Sequence, residues 1–222
     1  MFFQNAFEAM TPEQKESFCQ TVFMHDTSDY AAQMRKAYYR TRFKSMGQKV
    51  YIGTGVKIVN PQYIYIGENV CISDGVTLIA KGPGGITIGN HVYLKDRVYL
   101  DTEWADTGYI TIGDHVYIGT GTTLHGHKGL EIGDYALLAQ NITLTPYSHI
   151  YQDPNANIIT QDGHCKKVTI GRDCYIGMGC AIMYSGDIGE GSVIGAGSVV
   201  VKPIPPYSVA VGNPARVIKK RG

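Results

Sequence analysis

Short apolar stretches end in Ile-Gly again and again along this chain, among them at Ile52-Gly53, Ile66-Gly67, Ile88-Gly89, Ile112-Gly113, Ile132-Gly133, Ile170-Gly171 and Ile188-Gly189. Behind most of them, aliphatic residues recur every six positions. Ile66, Ile72 and Leu78 form one set, and Ile88, Leu94 and Leu100 the next. The sets continue as Ile112, Ile118, Leu124, then Ile132, Leu138, Leu144, then Ile170, Ile176, Ile182, then Ile188, Ile194, Val200. An amphipathic helix repeats about every 3.6 residues and a half-buried strand every two, so neither explains sixes grouped in threes. Coils of three short strands, each turning a corner and stacked on the coil before, do explain them. The pattern predicts an all-β chain built on a parallel β-helix of hexapeptide repeats. Such a prism fills its own interior. Function must therefore sit on its outer faces, in its insertions or between subunits.

The same pattern divides the chain. Residues 1–49 lack the repeat and read as an N-terminal helical cap. Thr11 is placed to cap a helix, Pro12 suits its first turn, and Glu13 favours the positive end of its dipole. A second helix is predicted around 30–44. A cap of this kind covers the strand edges that an open coil would expose. The β-helix is predicted over 50–202. Eighteen residues separate Ile170 from Ile188, which is a bare coil, whereas 38 separate Ile132 from Ile170. The excess predicts a long inserted loop, 145–168, and shorter insertions at 81–85 and 101–108. Long insertions in a regular repeat commonly carry function. Residues 203–222, with Pro203, Pro205, Pro206 and Pro214, are predicted to leave the repeat as a C-terminal extension.

Composition narrows the partners. The net charge of +1 gives no reason to expect nucleic acid or an anionic membrane surface. No run approaches the ~18 apolar residues of a membrane span, so no membrane insertion is expected. Residues 1–7 lack a basic segment and a long apolar run, so no signal peptide is expected. The five cysteines include no CxxC pair, which argues against a disulfide framework and for reduced thiols in the cytoplasm.

The six-residue repeats, the loop after NITLTPYSH and the ending IGAGSVVVKPIPPYSVAVGNPARVIKK resemble the hexapeptide-repeat O-acetyltransferases, over roughly 50–220. Within that family the likeness is to the sugar and polysaccharide enzymes of the galactoside, maltose and nodulation-factor type. The resemblance implies a left-handed coil, a hand that strand physics does not supply because parallel crossovers are usually right-handed. It also implies a homotrimer with acetyl-CoA in the cleft between neighbouring prisms, and a saccharide acceptor.

The family's general base is the His eight residues after the Asn of this loop, which is His149 after Asn141. A sugar hydroxyl is a weak nucleophile until a base takes its proton, and a neutral imidazole suits that task near pH 7. Many relatives carry Asp just before this His, where this chain has Pro146-Tyr147-Ser148, so Asp153, Asp162 and Glu103 are candidates to orient it. For the cofactor, the resemblance matches corner residues Met178 and Ala196 to the pantetheine arm. It matches Lys202, Arg216 and Lys219 to the adenosine phosphates, where fixed cations are useful. Asn141 is either a left-handed corner residue or an acceptor contact. His125 and His127, two apart on one strand face, are acceptor contacts, surface residues or, on the analogy of γ-type carbonic anhydrases, zinc ligands. The reading adopted has no metal. Trp104 either stacks on a sugar or packs between subunits. Tyr175 stands where relatives often have Trp and is a further acceptor candidate. An amine acceptor, a zinc hydratase and a non-catalytic trimeric scaffold remain as rival readings.

Overall fold

The computed structural model describes residues 9–222, so the segment 1–7 read for targeting lies outside the described residues. The repeat becomes a left-handed parallel β-helix of about seven turns. Its first face carries Ser45–Met46, Ile64–Ile66, Ile86–Ile88, Ile110–Ile112, Leu130–Ile132 and Val168–Ile170. The second face runs from Val50–Ile52 to Val193–Ile194 and on to Ser208–Val211. The third runs from Lys57–Val59 to Val199–Val200. Register is strict: Ile110 lies against Ile86 on one side and Leu130 on the other, and Leu124 between Leu100 and Leu144. All eighteen aliphatic positions of the six-residue sets point inward, none more than 2% exposed. Burying each contributes on the order of 1.5–3 kcal/mol.

The corners differ in chemistry. At the second corner, between the second and third faces, glycine supplies the left-handed backbone at Gly55, Gly75, Gly121, Gly179 and Gly197, with Arg97 and Asn141 taking the same conformation. At the first corner that conformation falls on Asn69, His91, His115, Tyr135, Asp173 and Tyr207, with φ between 53° and 60°. A Cβ is strained there. The rings of His91, His115 and Tyr135 stack in parallel, 4.6 and 4.8 Å apart, and help to offset it.

The cap comprises α1, Pro12–Phe18, a π-helical turn, Cys19–Phe23, and α2, Asp29–Arg40. Thr11 caps α1 as predicted. Its Oγ1 accepts from the Gln14 N–H while the Gln14 side chain accepts from the Thr11 N–H. On α2, Arg35 is 1% exposed and donates to the carbonyls of Ile52, Phe23 and Asp26. It thereby ties the cap to the first coil.

Both domain boundaries shift from the sequence prediction. The coil begins at Ser45–Met46 rather than at 50, because these residues pair with Tyr65 and Ile66. At the other end, residues 203–222 do not leave the repeat at once. Ile204, between prolines, keeps its N–H and bonds the Asp187 carbonyl at 2.8 Å. Ser208–Val211 then adds a parallel strand to the second face, and only Arg216–Lys220 turns back antiparallel on it. Proline removes a donor only at its own position, so alternate residues still pair.

Candidate active site

Every large insertion opens at one place, the third corner, where the third face returns to the first. The segments 81–85, 102–109, 126–129, 145–167 and 183–187 leave the prism there in successive coils. Stacking of coils therefore superposes residues far apart in sequence. The longest insertion is a hairpin in which Tyr147–His149 pairs antiparallel with Gly163–Cys165. Ile150 N–H extends the hairpin to the Asp162 carbonyl at 2.8 Å. Lys166 and Lys167 fasten its return strand to Asp187 and Glu131 at 3.2 and 3.0 Å.

The hairpin lays Tyr147 against the neighbouring coil. Its ring stacks on His127 at 5.3 Å and 14°, and meets the edge of Trp104 at 5.9 Å. Trp104 in turn sits edge-on to His127 at 5.1 Å. His149 stands perpendicular to Tyr147 at 4.9 Å, with its Nδ1 3.4 Å from the phenol oxygen. Gly163, opposite His149, is required by this arrangement, because a Cβ there would collide with the Tyr147 ring. Trp104, His125 and His149, singled out separately in the sequence, thus lie along one cluster of rings.

A polar network closes the other end of the cluster. Glu103 Oε1 lies 2.6 Å from His125 Nδ1. A carboxylate only accepts, so Nδ1 carries the proton of this contact and Nε2 is the nitrogen left to face a ligand. Glu103 has φ 61°, unusual for a residue with a Cβ, and its N–H donates to Asp101 Oδ1 at 2.7 Å. Asp101 is 4% exposed and also accepts from the Tyr99 hydroxyl at 2.9 Å. Burial first, and then the bond to Asp101, push the Tyr99 phenol up to about 12, so it stays a neutral donor. His127 is held below the usual imidazole range, chiefly by burial. Its Nδ1 is buried without a hydrogen-bond partner among the described residues. The ring is therefore a neutral platform rather than a cation.

The structure does not pair Glu103 with His149. Of the other candidates to orient that His, Asp153 accepts from the Asn155 N–H within its own turn. Among the described residues, no three His, Cys, Asp or Glu side chains group as a metal-ligand set.

The remaining predicted residues lie elsewhere. Asn141, φ 57°, occupies the second corner, where its N–H bonds the Thr120 carbonyl at 2.9 Å. Met178 and Ala196 stack above it at that corner on the next two coils, with the Gly197 N–H donating to the Met178 carbonyl at 2.8 Å. Arg216 and Lys219 are exposed on the returning strand, and Lys202 is exposed where the last third-face strand ends. Tyr175 points outward from the second face, between Leu137 and Val193. Within one chain, then, Trp104, His125 and His149 at the third corner and Met178 and Ala196 at the second corner stand on opposite edges of the third face. Sequence reasoning missed Tyr147, Asp101 and Tyr99. The shared corner of the insertions at 101–108 and 145–168 was the signal that could have joined them.

Three kinds of likeness bear on this arrangement. The hexapeptide repeat of succinyl-transferase is matched at residues 109–146 and 167–202. A Mycobacterium tuberculosis protein named as an acetyltransferase, Rv3034c, is 33% identical over 166 residues, 74% of this chain and 54% of that protein. The galactoside O-acetyltransferase of Escherichia coli is 42% identical over 91 residues, 40% of this chain and 43% of the enzyme. The chain thus spans about half the length of these relatives. Among solved structures, AntD, an N-acyltransferase from Bacillus cereus in complex with dTDP and 3-hydroxybutyryl-CoA, superposes with a TM-score of 0.61. It is 25% identical, with 85% of this chain and 88% of AntD covered. By its repeat and its coil the chain is a hexapeptide-repeat protein, and the relatives it matches are named as acetyltransferases.

Proposed function

We propose that this chain transfers an acetyl group from acetyl-CoA to a hydroxyl of a saccharide, with His149 as general base. The observation that carries the reading is the third corner. There a hairpin holds an exposed imidazole at the rim of the Trp104–His127–Tyr147 ring cluster. Aromatic faces take the apolar face of a sugar ring, and the base beside them reaches its hydroxyls. In the reaction, His149 accepts the hydroxyl proton as the oxygen attacks the thioester carbonyl. Collapse of the tetrahedral intermediate breaks the carbon–sulfur bond, and the thiolate leaving group takes the proton from the imidazolium. The product is an acetyl ester and free CoA.

In this reading the acetyl donor would run along the second corner. Met178 and Ala196 would line the pantetheine arm, and Lys202, Arg216 and Lys219 would meet the phosphates. Because Met178 and Ala196 lie on the opposite edge of the third face from His149, a homotrimer would complete the site between neighbouring prisms. Asn141 and Tyr175 would then reach the acceptor only across that interface. The rival with support of its own is an amine acceptor, since AntD is named as an N-acyltransferase and was solved with dTDP-4-amino-4,6-dideoxyglucose.

The test is CoA release from acetyl-CoA with hydroxyl and amino sugars, followed by mass spectrometry and hydroxylamine treatment. An ester is cleaved by hydroxylamine and an amide survives. A hydroxylamine-stable product favours the amine acceptor, and a lack of CoA release with every sugar rejects both. A monomer in sedimentation that still turns over would reject the shared site.

A further inference from the structure

We propose that Glu103 and His125 form an acceptor-anchoring pair, distinct from the base, that holds a second hydroxyl of the sugar lying on the Trp104–Tyr147 rings. The proposal rests on the reading of the third corner as the acceptor site and adds to it which residues select the acceptor. His149 meets the Tyr147 oxygen at 3.4 Å and stands edge-on to its ring at 4.9 Å. His125 has a carboxylate at 2.6 Å. That carboxylate sits on a backbone at φ 61° whose N–H is tied to the buried Asp101. Strained backbone persists where surrounding contacts over-determine it, and it clusters at ligand sites. Here the contacts run through two levels. Tyr99 and Lys81, the latter 4.0 Å away, face Asp101, Asp101 holds the Glu103 backbone, and Glu103 holds His125.

The pair faces the ring cluster. His125 lies 5.9 Å from His127 and 6.0 Å from Tyr99. His127 and then Tyr147 stand between it and His149. An acceptor lying on these rings would place one hydroxyl at His149 and another at His125. With Nδ1–H held by Glu103, Nε2 of His125 accepts from that second hydroxyl. No proton is transferred there, so the pair serves binding rather than chemistry. Glu103 acts through His125 and is a positioning residue.

The experiment uses full-length protein and two readouts. Trp104 is the only tryptophan in the chain, so its fluorescence reports sugar binding without turnover. The probes are methyl β-D-galactoside, maltose and D-glucosamine, and CoA release from acetyl-CoA is followed in parallel. His125→Ala should weaken sugar binding and raise the acceptor KM roughly 2–10-fold, as expected for one ordinary hydrogen bond. The change in kcat should be under about threefold, and KM for acetyl-CoA should stay unchanged. Glu103→Gln keeps the size and the strained backbone but loses the charge. It should show the same pattern more weakly, while His125→Asn, which restores an acceptor, should recover part of the binding. A fall in kcat at constant acceptor KM would overturn the proposal and make His125 the base. Unchanged binding in both His125→Ala and Glu103→Gln, or no response of Trp104 to any probe in the native chain, would also overturn it. Sugar binding without acetyl transfer would remove the proposed reaction and leave the anchoring pair standing.

Discussion

Between Val168 and Val200 the chain coils without a long interruption, and every third-strand set closes on the core. Immediately before it, residues 145–167 leave the prism as a hairpin. In the coil, what a residue does follows from its place in a period of six. Ile170, Ile176, Ile182, Ile188, Ile194 and Val200 are all buried because their neighbours on adjacent coils are buried. In the hairpin, position follows from two-strand pairing and from contacts with another coil's insertion. Tyr147 is fixed by His127 and Trp104, which lie 20 and 43 residues earlier. The coil tolerates such insertions because a corner interrupts no ladder, and each coil's strands still pair above and below.

The sharpest way to separate the two regions is His149→Ala. If His149 is the proposed base, its loss should lower kcat about 10²–10⁴-fold, with both substrates still bound and the thermal midpoint unchanged. His164, which stacks on Tyr184 at 5.9 Å in the same hairpin, serves as the control, and His164→Ala should cost much less. Near-full kcat in His149→Ala would assign the wrong histidine.

The converse is Ile176→Ala, in the uninterrupted coil. Ile176 is fully buried between Leu138 and Ile194, with no insertion to relax the gap. Its truncation should cost about 2–5 kcal/mol in stability, read by denaturant unfolding, while kcat of the folded fraction holds. Loss of activity without loss of stability would mean that the coil does more than support the site.

This contrast also explains what the sequence could reveal. Burial repeats, so the fold was legible down to single residues, including Cys174 and Cys180, whose thiols donate to the carbonyls of Gly189 and Gly195 at 3.2 Å. The ends were less legible because Ser45–Met46 and Ile204 join the ladder with little apolar pattern of their own. Of the site, His149, His125 and Trp104 stood out as residue types, but their common corner did not, since it depends on which strand each insertion follows. Glu103, one of three candidates to orient His149, pairs with His125 instead. Its φ of 61° turns the chain toward His125, and no sequence pattern predicts that for Glu.

A smaller effect is expected at the far end of the coil, where Lys202 and Arg216 are exposed. If they meet the cofactor phosphates, Lys202→Ala and Arg216→Ala should each raise KM for acetyl-CoA roughly 10–150-fold, the range of one charge-assisted hydrogen bond. The acceptor KM should not change. Isothermal titration with CoA checks the assignment without turnover, and unchanged affinity in both variants rejects it.

The smallest effect belongs to the seam where coil and hairpin meet, at His127. Burial holds its pKa below the ordinary ~6.5 in the folded state, with His125 pushing the same way and Glu103 and Asp101 opposing. Above about pH 6.5 the ring is neutral in both folded and unfolded chains, and its contribution is complete. As the pH falls below that value, the unfolded chain takes the proton first, so stability is lost until the lower folded pKa is reached. Protonation would also place a charge between Tyr147 and Trp104 with no acceptor for Nδ1–H. The thermal midpoint should therefore decline from pH 7 to pH 5, and Trp104 emission should change over the same interval. His127→Phe keeps a flat ring against Tyr147 but does not titrate, so the decline should become shallower and the emission change should vanish. If His127→Phe leaves both profiles unaltered, the hairpin is not coupled to the coil through this imidazole, and the two regions meet only by packing.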